Sequence, residues 1–392
     1  MRKAQDLFDI SECKELHEKV LFLLKDYYKE EKEYLKNMFE GFVDRDNKIV
    51  KQFQETFHST LWEIYIYSIL KEMNFNIDWN HEHPDFVISA PEIFYIEAVT
   101  SNKRNAEDHN YNDGKGGVEE ITKGYIDPKD YDMLMREAIS RNYYKVRDKL
   151  GCYRDKYSKN DWLDKNSPYV VALGSYSQEG YGREYIYPLI ALLYGKYFEP
   201  SSNNFHETSF IIRPEEKKDN EKIDIPLGIF LKEEYSDISA IIYSASVSLG
   251  KLSALSATNK NIVHVLYDGD ERDPFSITSE YKEKLTDGLF IFHNPLAKSP
   301  LPRSIFTYEN INQFSIDGFG NLKSTIPNGH LVGRAVFCTE DKYDPCNADK
   351  LDFVNKCEKL MVEELKAKAN LNFNLYSRKN FYDKKLKEVL DK

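Results

Sequence analysis

The chain has 392 residues, 41% hydrophobic and 30% charged, with a formal net charge of −11. So much apolar material supports a sizeable core and excludes a disordered chain. No stretch approaches the roughly 20 consecutive apolar residues of a membrane-spanning helix, and the acidic balance is opposite to that of proteins that coat nucleic acid without specificity. Five scattered cysteines (Cys13, Cys152, Cys338, Cys346, Cys357) with no CxxC pair argue against a disulfide scaffold and a thiolate zinc site. The charged start, Met1-Arg2-Lys3, has no apolar signal core behind it, so the chain is expected to be cytoplasmic and to have no membrane partner.

From about Ile10 to Gly41, Leu16, Val20, Leu23, Leu24, Leu35 and Phe39 recur at helical spacing. This predicts one long helix or a helical pair, a packing element or the contact of a homodimer. Gln52 to Met73 predicts a second helix, apolar on most of its circumference and therefore buried, with one charge, Glu63, in its middle. Asp85-Phe86-Val87-Ile88 and Ile93 to Val99 predict a hairpin around Pro91-Glu92. Ser101 to Asp132 reads as a loop or insertion whose glycine cluster, Asp113-Gly114-Lys115-Gly116-Gly117, lacks the spacing of a phosphate loop. A third helix is expected from about Met133 to Tyr157 and a buried strand at Pro168–Leu173. A short helix near Tyr187–Tyr197 and a charged loop from Asn203 to Asp224 come next. Strands at Ile238–Tyr243, Ile262–Leu266 and Leu289–Phe292 follow, and a charged helical tail starts at about Asp352.

Three carboxylates fall on successive elements. Burying Glu63 is costly unless it is paired or binds a metal. Asp85 and Glu97 are separated by one hairpin, so they are expected to be cross-strand neighbours at one end of the sheet. Two carboxylates held that close repel unless a cation neutralises them, and an oxygen-only set suits Mg²⁺.

Pro84-Asp85 and Ile96-Glu97-Ala98-Val99, after a helix carrying Glu63, resemble the PD-(D/E)XK nuclease superfamily. More narrowly, Trp62-Glu63, Pro84-Asp85-Phe86, Ile96-Glu97-Ala98, Leu192-Leu193-Tyr194-Gly195 and Phe292-His293-Asn294-Pro295 are similar to a family of uncharacterised bacterial proteins. The resemblance implies an α/β fold: a restriction-endonuclease-like mixed sheet flanked by helices, with N- and C-terminal helical extensions. The nuclease core would span residues 51–310, with extensions at 1–50 and 311–392. It implies a Mg²⁺- or Mn²⁺-dependent nuclease acting on DNA in a restriction-type or antiphage role, with Asp85, Glu97 and the Ala98 carbonyl at the metal and Glu63 beside them. The superfamily motif ends in Lys two residues after the acid, where this chain has Val99. The base is then expected from the third helix, with Lys145 chosen over Arg141 and Lys149.

Residues 141–165 hold eight Lys/Arg against four acids, with Tyr143, Tyr144, Tyr153 and Tyr157 between them. Arg141, Lys149 and Arg154 are therefore expected to contact nucleic acid. His81 and His83 form an HxH that reads first as loop residues before a strand, with a transition-metal site or a substrate contact as the alternatives; His293 reads as structural, and Ser244-Ala245-Ser246 as a strand edge. The alternatives are a nuclease-like fold that binds nucleic acid or a protein without cutting, favoured by Val99, and a scaffold assembled through its terminal helices.

Overall fold

The computed structural model describes residues 6–11, 15–102, 118–122, 131–176, 182, 184–199, 204–212, 223–258, 260–267, 275–308, 310–325 and 329–337. Its helices are α1 (Glu18–Leu23), α2 (Lys29–Phe39), α3 (Ile49–Glu55), α4 (Phe57–Glu72), α5 (Tyr131–Asp155), α6 (Tyr187–Tyr194) and α7 (Leu249–Leu255). The main sheet has eight strands, β1 (Asn76–Asp78), β2 (Phe86–Ala90), β3 (Phe94–Asn102), β4 (Tyr169–Tyr176), β5 (Ala240–Ser244), β6 (Phe290–His293), β7 (Asn312–Ile316) and β8 (Leu322–Ser324). They lie side by side in chain order. β3 pairs parallel with β4, β4 with β5, and β6 with β7, and the remaining neighbours are antiparallel. The fold is thus mixed α/β, one large mixed sheet flanked by helices.

Helices cover both faces of the central strands, which is why β4 and β5 read as unbroken apolar runs. The period of two divides their side chains. Val87, Tyr95, Val171, Leu173, Ile241 and Tyr243 pack with α5 and α6. Phe86, Ile88, Phe94, Ile96, Val170 and Ile242 pack with α2, α3 and α4. A second, antiparallel sheet runs in the order Phe275–Thr278, Asn261–Tyr267, His330–Phe337 and Val118–Thr122. Among the described residues no helix is long and apolar enough to cross a membrane.

The predicted N-terminal helix is a pair, α1 and α2, joined through a 3₁₀ turn at Asp26–Tyr28. Val20, Leu23, Leu35 and Phe39, the residues that suggested a dimer contact, are buried in the chain's own core. The second predicted helix breaks at Thr56, whose φ −128° and ψ 43° are not helical, into α3 and α4. Of the loop predicted from Ser101 to Asp132, Ser101 and Asn102 belong to β3 and Val118–Thr122 is a strand of the second sheet. The glycine cluster and the tail from Asp352 lie outside the described residues. The predicted boundary at 310 is crossed by the main sheet itself, because β7 and β8 belong to it. Part of the loop expected at Asn203–Asp224 is strand, Asn204–Glu207 and Phe210–Ile212.

Candidate active site

α4 is fixed by Trp62, whose Nε1 donates to the Ala172 carbonyl at 2.9 Å. The indole lies so close to β4 that a Cβ at Gly174 would sit 2.8 Å from the ring, so only glycine fits there. This anchoring holds the next residue, Glu63, in place. β2 and β3 pair with Phe86 opposite Ile96, and continuing that register by one residue sets Asp85 opposite Glu97. Asp85 Oδ2 accepts from the Ala98 amide at 2.7 Å. From below, the Arg45 guanidinium binds the carbonyls of His81, Pro84 (3.4 Å) and Asp85 (2.8 Å), fixing the segment that delivers the aspartate.

Glu97 is only 3% exposed. Its Oε1 accepts from Lys149 Nζ at 2.6 Å and from the Tyr157 hydroxyl at 3.1 Å, while its Oε2 is buried with no hydrogen-bond partner. Burial and the negative charges of Asp85 and Glu97 push Glu63 up to about 8, against the pull of Lys149 and Arg45. Burial and Glu97 push Asp85 up to about 7. Burial works against the charge on Lys149, but Glu97 and Asp85 outweigh it and its pKa is raised. Three acids thus share one ammonium, and two of them hold their protons near neutral pH.

A pocket of about 260 Å³ opens beside this group, lined by Glu63, Trp62, Ala98, Val99 and Lys145 together with Ser59, Thr100 and Asn102. The last three form a polar row: Ser59 and Thr100 share a hydrogen bond of 2.9 Å, and the Asn102 amide donates to Thr100 at 3.2 Å. Lys145 makes no ion pair with a described residue and is the pocket's cation. Among the described residues no group of three or more His, Cys, Asp or Glu is gathered closely enough to hold a metal by itself. The residues nonetheless fit Mg²⁺ as a guest that keeps waters and takes one or two carboxylates. The fit rests on the partnerless Glu97 Oε2, on the excess of acids, and on donors that are all oxygen.

The sequence-predicted residues separate into two groups. Glu63, Asp85, Glu97, Ala98, Lys145 and Lys149 converge. Lys149 sits on Glu97 rather than on an outer face, so its expected place on a nucleic-acid surface is corrected: the acid nearest in space takes it. Val99 packs toward the core on the α5 side. Arg154 is drawn away, its Nε 2.6 Å from Asp237 Oδ2 and its Nη2 donating to the Glu234 carbonyl. Arg141 pairs with Glu137 at 3.8 Å. The interleaved tyrosines do not stand in a row on the surface, for Tyr153 stacks on Tyr169 in the core and Tyr157 reaches Glu97. His81 and His83 do not form a chelating pair: each stacks on a different aromatic ring, Trp162 and Tyr157. His293 is buried against Gln313. Arg45, Ser59 and Thr100 were not singled out by the sequence and Tyr157 only as one of the interleaved tyrosines: Arg45 and Tyr157 reach the site from segments outside the motif, while Ser59 and Thr100 share α4 and β3 with Glu63 and Glu97 but carry no charge to mark them. Comparison of the chain with protein-family models, with curated proteins and with solved structures finds no match in any of the three.

Proposed function

We propose that the chain is a Mg²⁺- or Mn²⁺-dependent nuclease with a restriction-endonuclease-like core, hydrolysing phosphodiester bonds in DNA. One observation carries this reading: the buried, partnerless Oε2 of Glu97 lies in a group of three acids that share a single lysine, and one of the three, Glu63, lines a pocket. Asp85 and Glu97, with the Ala98 carbonyl beside them, would hold the metal, and Glu63 stands next to them. When bound, the metal supplies a water of lowered pKa and offsets charge on the scissile phosphate.

The chain's own residues do the rest. Lys149 and Tyr157 hold Glu97 by one oxygen and leave the other free. The Ala98 amide does the same for Asp85. Glu63 keeps a proton until a cation or a base removes it. Lys145, replacing the lysine that Val99 lacks, faces the pocket as a charge for the phosphate or for the attacking water. Trp62 and Val99 form apolar walls that limit solvent. DNA, and a restriction or antiphage setting, rest on the likeness of the motif to the superfamily alone.

A second reading, a nuclease-like fold that binds without cutting, is favoured by Val99 and by the commitment of Lys149 to Glu97. Incubation of plasmid with Mg²⁺ or Mn²⁺ and wild type, Asp85→Ala or Glu97→Ala separates the two. Nicking or linearisation by wild type only supports the enzyme. A plasmid and a single-stranded oligonucleotide, treated alike and left equally intact by all three, reject it.

A further inference from the structure

The segment that delivers Asp85 also displays two histidines, each on an aromatic support. The His83 ring is exposed and lies parallel to Tyr157, with centroids 5.7 Å apart and planes 19° apart. Tyr157 is the residue that donates to Glu97. The His81 ring is stacked on Trp162 at 3.6 Å and 7°, and Trp162 is 36% exposed. Trp162 meets the edge of Tyr95, and Tyr95 and Glu97 stand two residues apart on the same face of β3. Arg45 clamps the carbonyls of His81, Pro84 and Asp85, so both rings are fixed relative to the carboxylates.

The cations of α5 are mostly engaged, and the exposed Lys156, Lys159 and Lys165 fall in the short segment that carries Tyr157 and Trp162. Affinity for a duplex comes largely from Lys and Arg that neutralise phosphates. On α5, however, Arg136 is held by Asp132 at 2.7 Å, Arg141 by Glu137, Lys149 by Glu97 and Arg154 by Asp237. Single strands are bound differently. Every base has a π-face, and unpaired bases stack on aromatic side chains with little regard to sequence.

We propose that the substrate is single-stranded nucleic acid, its unpaired bases stacking on His83 and Trp162 while its backbone passes Asp85, Glu97 and the Ser59-Thr100-Asn102 row. This rests on the nuclease reading of the carboxylates and specifies its substrate.

The test is fluorescence anisotropy on the full chain, in Ca²⁺, with a labelled oligonucleotide of about twenty nucleotides and with the duplex it forms with its complement. The single strand is expected to bind at least about tenfold more tightly than the duplex. His83→Ala and Trp162→Ala are each expected to weaken single-strand binding by about tenfold, within the range of one lost base stack, and to leave duplex binding unchanged. His83→Phe and Trp162→Phe restore a stacking face and are expected to recover most of it. His83 is exposed, so its alanine variant leaves the core intact even where Trp162→Ala disturbs His81. Equal affinity for strand and duplex, no measurable binding of the single strand, or an unchanged affinity in His83→Ala each overturns the inference. Cleavage of the same labelled single strand, and of its duplex, in Mg²⁺ or Mn²⁺ is scored separately. Single-strand preference without cutting by the wild type supports the stacking surface and rejects the nuclease. Cutting of duplex by a chain that binds both forms equally does the reverse.

Discussion

Two buried acid clusters share this molecule and are treated in opposite ways. Around Glu283, Arg334 Nη1 lies 2.7 and 2.8 Å from the two carboxylate oxygens, Lys251 Nζ at 2.9 Å and His264 Nε2 at 3.3 Å. Burial disfavours its charge, but Arg334, Lys251 and His264 hold the carboxyl well below its usual range. The space beside Arg334 is about 20 Å³, little more than one water occupies. Around Glu97 the ratio is reversed: three acids against Lys149 and a weaker pull from Arg45, raised pKa values for Glu63 and Asp85, and a pocket of about 260 Å³. In the first cluster the central carboxylate is enclosed and matched by cations, and it joins α7 to the second sheet. The second is open and short of positive charge. A buried acid alone therefore says little about function. The balance of its neighbours and the room beside it say much more.

Removing one charge from each cluster should produce contrasting losses. Glu283→Gln leaves Arg334 and Lys251 buried without their anion and should cost about 3–5 kcal/mol, read as a lower urea midpoint. Asp85→Asn removes a repelling charge. Its urea midpoint should hold or rise at neutral pH, while cleavage falls by about 10²–10³-fold. A loss of stability in Asp85→Asn as large as that in Glu283→Gln would erase the distinction between the clusters.

The sequence showed half of this contrast. Helix α4, the hairpin of β2 and β3, and the meeting of Asp85 with Glu97 were legible because they depend on local periodicity and on a register spanning one turn. The Glu283 cluster was not legible, since Lys251, His264, Glu283 and Arg334 come from four separate segments joined only by sheet pairing. The same limit hid Arg45 and Tyr157. The choice of lysine was open for a related reason. Lys145 and Lys149 share a helix face one turn apart, and only packing against β3 gives Lys149 to Glu97 and Lys145 to the pocket.

The pH response should separate the clusters next. Asp85 and Glu63 titrate at about 7 and 8 in the folded chain and near 4 when unfolded, so between those values the folded state holds protons that the unfolded state has lost. Their effect on stability is then a decline as pH rises from about 4 through 8, whereas the pairing of Glu283, with its lowered pKa, contributes throughout that window and is lost only in strong acid. Mg²⁺ should offset the decline by about 2.7 kcal/mol at a hundred times its Kd, with a larger rise in Tm at about pH 8.5 than at pH 6 because binding displaces protons. An equal shift at both pH values, or none, counts against a cation at these acids. Lys145→Gln should lower cleavage by about 10–100-fold with an unchanged urea midpoint, since this lysine holds no described acid in place. A fall in the midpoint would make it a packing residue.

The smallest effect is expected at Arg154, one of the three residues that the sequence suggested as nucleic-acid contacts. Its guanidinium is already engaged by Asp237 and by the Glu234 carbonyl, and Lys298 approaches the same aspartate at 2.6 Å. Burial opposes the charge on Asp237, yet the two cations hold its carboxyl below the usual range. To reach a phosphate, Arg154 would have to abandon both partners and leave Asp237 to Lys298 alone. An exposed pair of this kind contributes about 1 kcal/mol or less. Arg154→Ala should therefore lower the urea midpoint only slightly and leave cleavage and single-strand affinity within about twofold. A tenfold loss of affinity with an unchanged midpoint would show instead that the outer face of α5 meets the nucleic acid, and that its ion pairs are exchanged for phosphates on binding.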